Sequence, residues 1–327
     1  LGKLKIAIAG AGMTGAYLYR MLKNQGHGVD VFDVRAATRC GLHPCAWGTS
    51  KGFTALVAAA GLDPQKYILQ ELDHVIIDNV RIKAELKTFD KPGLIRDLLQ
   101  GAEVIYAPFE PGIYERVIDA TGVARAFLPP IAADIILPCE QRRVRAAGPL
   151  ENRIILGSIG YSWCFPLGED QYHIGGGSLT AAGHLGSKNC GMSLCEQAET
   201  LCGCRGNVRL TSPHGALPFV VNRDRWSVWG VGEAIGCVAP LAGDGVVPGM
   251  RSVRILLDNW QNPEAYTNAI LQEFGWMKKE RRVIERLRRR GHLGISAAWV
   301  LKKNSRRMGM AVSLKDALRL LKNLKPA

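Results

Sequence analysis

The chain has 327 residues, 47% of them hydrophobic, and a formal net charge of +13 at pH 7, a globular composition with enough length for two modest domains or one large domain carrying an insertion. No uncharged apolar run approaches the ~20 residues that a membrane-spanning helix needs, and the best candidate, 154–168, is broken by glycines and by Pro166. A strand opens the chain without a recognisable signal or transit segment, and nine scattered cysteines suit a reducing cytoplasm better than secretion.

The first predicted element is a buried strand over 4–9, followed by Gly10-Ala11-Gly12-Met13-Thr14-Gly15, a helical stretch over 13–25 and a second strand, Val29-Asp30-Val31-Phe32-Asp33. This order suits a dinucleotide. Gly10 permits the tight turn, Gly12 lets the backbone approach a pyrophosphate, Gly15 lets the helix pack on the sheet, and the helix N-terminus offers unpaired N–H groups to phosphates. Asp33 falls where a carboxylate can accept from a ribose.

A loop rich in cysteine, glycine and proline then runs over 39–48, and a helix is predicted over 49–60. Alternation at Val80, Ile82, Ala84 and Leu86 points to antiparallel strands within 75–89. A helix over 91–99 carries Pro92 in its first turn. Short strands are expected over 103–107 and 116–119, the second running through Asp119 into Ala120-Thr121-Gly122, where Gly122 tolerates a tight turn at a strand's carboxyl end. A β-hairpin follows within 154–179, and its arm places Tyr161, Trp163 and Phe165 on one face. Late in the chain a strand over 226–231 runs into Gly232-Glu233-Ala234, then Pro240-Leu241-Ala242-Gly243-Asp244-Gly245 and a helix over 248–259. There is no internal repeat.

From Lys278 to the end there are 16 Lys and Arg against 3 Asp and Glu, so this segment carries the whole net charge of the chain. Apolar residues recur among the charges at helical spacing, as at Val283 and Leu287 or Leu314, Ala317, Leu318 and Leu321. These are basic amphipathic helices, either packed on the body with a solvated face or attached to an anionic membrane surface. Nucleic acid is not expected, since no zinc-finger or RNA-binding sheet motif accompanies the charge.

The ordered set of GxGxxG, an acid closing the second strand, DATG, and a glycine-acid-alanine before PLxGxG resembles the flavoprotein hydroxylase and reductase superfamily that binds FAD in the manner of para-hydroxybenzoate hydroxylase. Within it, Tyr161-Ser162-Trp163-Cys164-Phe165-Pro166 is similar to the YxWxFP motif of the geranylgeranyl reductases, and His43-Pro44-Cys45-Ala46-Trp47-Gly48 resembles their cysteine loop, with Ala46-Trp47 replacing the usual glycine and acid. The resemblance spans about residues 3–260. It implies that Gly10, Gly12, Gly15, Asp33, Arg35, Asp119, Gly122, Gly232 and Glu233 hold FAD. It also implies that Pro240, Gly243, Asp244 and Gly245 start the helix facing its ring, that Cys45 serves catalysis, and that Tyr161, Trp163 and Phe165 line the substrate cavity.

The expected fold is α/β: a discontinuous Rossmann-like FAD domain (1–60, 91–125 and 223–260), an inserted antiparallel-sheet substrate domain (61–90 and 126–222) and a basic helical C-terminal region (261–327). The expected activity is FAD-dependent reduction of carbon–carbon double bonds in a prenyl lipid or prenyl diphosphate. Electrons would come from a ferredoxin-like donor or NAD(P)H, and the protein would be cytoplasmic, with peripheral attachment to the inner membrane face. Two alternatives share the fold: an aromatic hydroxylase, and an electron-transfer flavoprotein using Cys190, Cys195, Cys202 and Cys204. Those four could hold a metal, although their spacing lacks C-x2-C knuckles, or form a redox pair or disulfide.

Overall fold

A computed structural model describes residues 4–34, 45–157, 159–179, 198–289 and 291–324. Among these, the chain forms β1 (Ile6–Ala9), α1 (Met13–Asn24), β2 (Val29–Phe32), β3 (Gly48–Thr49), α2 (Phe53–Ala59), β4 (Ile68–Ile77), β5 (Val80–Phe89), α3 (Lys91–Leu98), β6 (Val104–Ile105) and β7 (Arg116–Asp119). It continues through β8 (Ile136–Arg145), β9 (Arg153–Gly157), β10 (Gly160–Gly168), β11 (Gln171–Ser178), β12 (Glu199–Arg209), β13 (Val220–Asn222) and β14 (Ser227–Gly230). Five helices close the chain: α4 (Val246–Asp258), α5 (Pro263–Glu273), α6 (Met277–Arg288), α7 (Ile295–Ser305) and α8 (Leu314–Asn323).

The strands form two sheets. One has the order β13-β14-β7-β1-β2-β6, parallel from β14 to β6 with β13 antiparallel at its edge. β1 is buried along its whole length, as a strand covered on both faces must be. On this sheet α1 buries Ala16, Tyr17, Leu18 and Leu22, and α4 buries Met250, Val253 and Leu256. The second sheet has the order β12-β8-β11-β10-β9-β4-β5-β3 and is antiparallel apart from the β4–β9 pair. Its strands come from two stretches of chain, one between α2 and α3 and one between β7 and β14, with β3 added from the loop before α2.

The structure moves some predicted boundaries. The helix expected over 49–60 starts only at Phe53, because Gly48–Thr49 pairs with β5. The β4–β5 hairpin starts at Ile68, not 75. The basic C-terminal helices pack on the body. Val283, Ile284, Leu287, Ala298, Ala317 and Leu321 join the core of the second sheet, and Glu85 N–H and Ala311 N–H bond across to Gly309 and Lys83 carbonyls. Burial of an aliphatic side chain contributes roughly 1.5–3 kcal/mol, so this seam is an integral wall of the fold.

Candidate active site

The glycine turn sits where the first sheet's central strands end. Gly10 has φ +104°, and a Cβ there would lie 2.4 Å from the Ala120 carbonyl oxygen, so β1 and the strand after Asp119 approach as closely as glycine allows. A Cβ on Gly15 would lie 1.8 Å from the Gly10 carbonyl oxygen, which explains why α1 can sit tight against the turn. Gly12 differs: a Cβ there meets nothing within 4 Å. It is the N-cap of α1, and no side chain caps it, so the positive end of the helix faces open space. Asp33 closes the same corner, accepting from the Ala11 N–H at 2.8 Å and its neighbour Val34 at 2.6 Å. Arg35 lies outside the described residues.

Two further glycine positions converge on this line. Gly122 (φ +64°) lies beside Glu233, whose Oε2 would be 3.4 Å from a Cβ at Gly122. Glu233 in turn accepts from the Arg209 N–H at 2.6 Å. Burial pushes its carboxyl up, while the Arg209 N–H and guanidinium oppose the shift. Arg209, only 4% exposed, is the organiser that sequence reading missed. Its guanidinium donates to the carbonyls of Gly122 (3.1 Å), Glu233 (3.1 Å) and Val123 (2.8 Å) and to Asp134 (2.9 Å).

Asp119 stands at the base of this turn. It is fully enclosed, and its oxygens accept from Thr121 N–H and Oγ and from the N–H groups of Phe127 and Leu128. With four protein donors, its carboxylate shapes the Gly122 turn, and a cofactor would meet this segment through its backbone. Gly232 also has a packing role, since a Cβ there would meet Thr14 Oγ1 at 2.7 Å.

Beyond this line, a cavity of about 300 Å³ opens between the second sheet and the C-terminal helices. Tyr161, Trp163 and Phe165 all line it, as does Cys45. Tyr161 and Trp163 lie with ring centroids 5.9 Å apart. Trp163 donates to Gln141 at 3.2 Å and Tyr161 donates to the Ala242 carbonyl. One end of the cavity is the segment Pro240–Gly245. Gly243 (φ +66°) lets that loop meet the Tyr161 hydroxyl, 2.7 Å from where a Cβ would be, and Gly245 is the N-cap of α4. Asp244 accepts from Ser50 Oγ at 2.6 Å and from the Val246 N–H at 3.1 Å. Burial pushes its carboxyl up against these donors. Trp47, whose bulk threatens the cysteine loop, turns instead onto His173 (4.5 Å, edge-on) and Arg143 (5.4 Å).

The remaining wall, from Ile284, Leu287 and Glu280 of α6 to Leu320 and Leu321 of α8, was not anticipated as part of the site. The available signal was an acid on an apolar stripe, Met277, Glu280, Ile284 and Leu287, in a segment with only three acids. Cys202 and Cys204 lie on β12, Cys190 and Cys195 fall outside the described residues, and no group of three potential metal ligands occurs among those described.

These features fit a flavin dinucleotide. The uncapped helix end with an open glycine suits a pyrophosphate, and the loop at the α4 N-terminus borders a cavity where a ring would meet an apolar ligand. No family model matches the chain. It is 23% identical over 340 residues to an uncharacterized protein of Methanocaldococcus jannaschii, covering 86% of this chain and 91% of that one. Its structure is similar to that of a geranylgeranyl bacteriochlorophyll reductase-like protein from Thermoplasma acidophilum (TM-score 0.64, 18% identity, 98% of this chain and 90% of that one). A flavin-dependent halogenase is also similar (TM-score 0.60, 15% identity, 98% and 70%). The chain has a flavoprotein fold. The expected α/β architecture therefore holds, with a mostly parallel sheet carrying the glycine turn and a mainly antiparallel sheet carrying the cavity.

Proposed function

We propose that the protein binds FAD and reduces carbon–carbon double bonds of an isoprenoid chain. The observation that carries this reading is the apolar cavity, about 300 Å³ and within the range of small-molecule sites, which ends on the loop that starts α4 in a flavoprotein fold. Gly10, Gly12 and Gly15 with the α1 N-terminus would hold the pyrophosphate, Asp33 a ribose, and Gly122 with Glu233 the chain between the nucleotide and the ring. The amides at the start of α4 would face the ring. When bound, the flavin supplies hydride. The polypeptide orients the chain with Tyr161, Trp163 and Phe165, keeps water out with its aliphatic walls, and presents Cys45 to the cavity.

A denatured sample of purified protein is expected to release FAD. Chemically reduced holoprotein is expected to add two hydrogens per reduced bond to geranylgeraniol, read by mass spectrometry. A preparation that neither carries nor takes up flavin would sink this reading, and oxygen-dependent hydroxylation of an aromatic compound would transfer the site to the hydroxylase alternative.

The helices that wall the cavity also suit an anionic lipid surface. Their outer faces expose Lys278, Lys279, Arg282, Arg286, Lys303 and Arg306, together with Ile295 and Trp299, at 60% and 52% exposure. Lys302 Nζ sits 4.8 Å over the Trp299 ring. Each basic residue near such a surface contributes about 1 kcal/mol, and no helix among the described residues is long and apolar enough to cross a membrane. The protein should co-sediment with phosphatidylglycerol vesicles at 0.1 M salt and release at 1 M. Equal binding to neutral vesicles would count against an electrostatic surface.

A further inference from the structure

Glu280 has no role in the assignments above, yet it is the most unusual polar group in the cavity. It projects from the apolar stripe of α6 and is 3% exposed. It lines the cavity alongside Ile284 and Leu287. One of its oxygens, Oε2, accepts from the Leu241 N–H at 3.2 Å, which ties it to the loop beside which the flavin ring is assigned. Among the described residues no basic side chain makes an ion pair with it. Arg307 is the cation whose charge acts on it among the described residues, and the Asn304 amide lies nearby. A buried carboxylate without a paired cation is costly, and it relieves the cost by holding a proton.

Cys45 also lines the cavity and keeps the place given to it above, while Cys139, Tyr161, Asp244 and Lys87 are poorer donors or are committed elsewhere. Burial pushes the Cys139 thiol up to about 12 and the Tyr161 phenol well above its ordinary value. The Tyr161 hydroxyl is also engaged by the Ala242 carbonyl. Asp244 is held by Ser50 and the Val246 N–H, and Lys87 pairs with Glu71. Burial lifts Glu280 to about 7, with the Leu241 N–H, Asn304 and Arg307 acting in the opposite direction. An acid of that strength combines a stored proton at neutral pH with a useful tendency to give it up.

We propose that Glu280 is the proton donor of the cavity, serving an uncharged alkene chain bound in the cavity that Glu280 and the Pro240–Gly245 loop both line. The inference rests on the reductase reading. One alkene carbon takes hydride from the reduced flavin, which is thereby oxidised. The π electron pair forms a C–H bond at the other carbon with the proton of the Glu280 carboxyl. The O–H bond breaks, its electrons stay on the carboxylate, and water restores the proton between turnovers.

The test uses flavin-loaded protein and geranylgeraniol as the probe. Infrared titration from pH 5 to 9 should show a protonated-carboxyl band that is lost near neutrality, is absent in Glu280→Gln, and persists to higher pH when geranylgeraniol fills the cavity. In single turnover of the chemically reduced protein, Glu280→Gln should slow reduction by 10²–10⁴-fold without loss of probe binding. Glu280→Asp should recover part of the rate, and the wild-type rate should fall as pH rises through about 7. Reduction at an unchanged rate and pH profile in Glu280→Gln overturns the Glu280 role and leaves the reductase reading standing. A missing carboxyl band also overturns it. A wild type that holds flavin and the probe but leaves the alkene intact overturns both.

Discussion

Arg209→Met should destabilise the fold by about 3–5 kcal/mol, the cost of removing one partner from a buried, hydrogen-bonded ion pair. The methionine stem preserves most of the packing, so the loss is polar. Asp134 loses its bridging guanidinium, and the carbonyls of Gly122, Val123 and Glu233 lose their donor. A buried acceptor left unmet costs about 1–3 kcal/mol. Arg209→Lys should recover only part of this, because one ammonium cannot reproduce the fork that reaches four oxygens. Arg205, four residues earlier on β12, supplies the contrast. Its side chain is 89% exposed and 3.9 Å from Glu140, so Arg205→Ala should cost under about 0.5 kcal/mol. Urea midpoints at constant slope measure all three. A loss below 1 kcal/mol for Arg209→Met would mean that the network is not the brace described here. Flavin retention should fall with the Arg209 variants as well, since the same guanidinium holds Gly122 and Glu233 side by side.

The contrast between Arg209 and Gly10 shows what a sequence can reveal. Gly10, Gly12, Gly15 and Asp33 lie within 24 residues on one strand-turn-helix-strand unit, and each serves a local need that leaves a local signature. Arg209 meets the Gly122 carbonyl across 87 positions, and no periodicity records such a contact. The first half of β4 is not legible, because its register shifts between Ile68 and Gln70 and again between Leu72 and His74, which disrupts the alternation that marks a half-buried strand. β12 carries glycines and cysteines where β-branched residues would announce a strand, so Cys202 and Cys204 have the pattern of a chemical cluster and not of a strand. The C-terminal helices were legible as amphipathic. Their apolar partner was not, because a stripe at helical spacing has the same pattern whether it meets a bilayer or a sheet. Here it meets the sheet, and the exposed bases remain on the opposite side. Glu280 was hidden by its surroundings: one acid among so many bases looks like ordinary surface patterning until its place on the buried stripe is seen.

Gly12→Ala and Gly15→Ala add the same methyl group three residues apart, and they should fail in different ways. At Gly15 the new Cβ would lie 1.8 Å from the Gly10 carbonyl oxygen and 3.3 Å from Ile8 Cγ2. The first contact is with backbone in the turn itself, so α1 must move off the sheet, and overpacking of this kind costs about 1–3 kcal/mol or more. Gly15→Ala should therefore lose stability and flavin together. At Gly12 the Cβ meets no atom within 4 Å, and the backbone, at φ −71°, is open to any residue. The folding penalty is the poorer N-cap, at most about 1 kcal/mol, or a few degrees in the melting temperature of flavin-free protein. In the proposed flavin complex the same methyl would stand where the pyrophosphate approaches the N–H groups of α1, and it could not rotate away. Gly12→Ala should thus keep its fold, by circular dichroism and melting, while retaining less than a tenth of the wild-type flavin after gel filtration. Full flavin retention in Gly12→Ala would place the phosphates elsewhere and leave the open glycine as a plain helix cap. Loss of the fold in Gly12→Ala would show that the space in front of α1 is already filled by the protein. Only loss of flavin from a folded chain matches a turn whose geometry Gly10 and Gly15 maintain and whose ligand Gly12 admits.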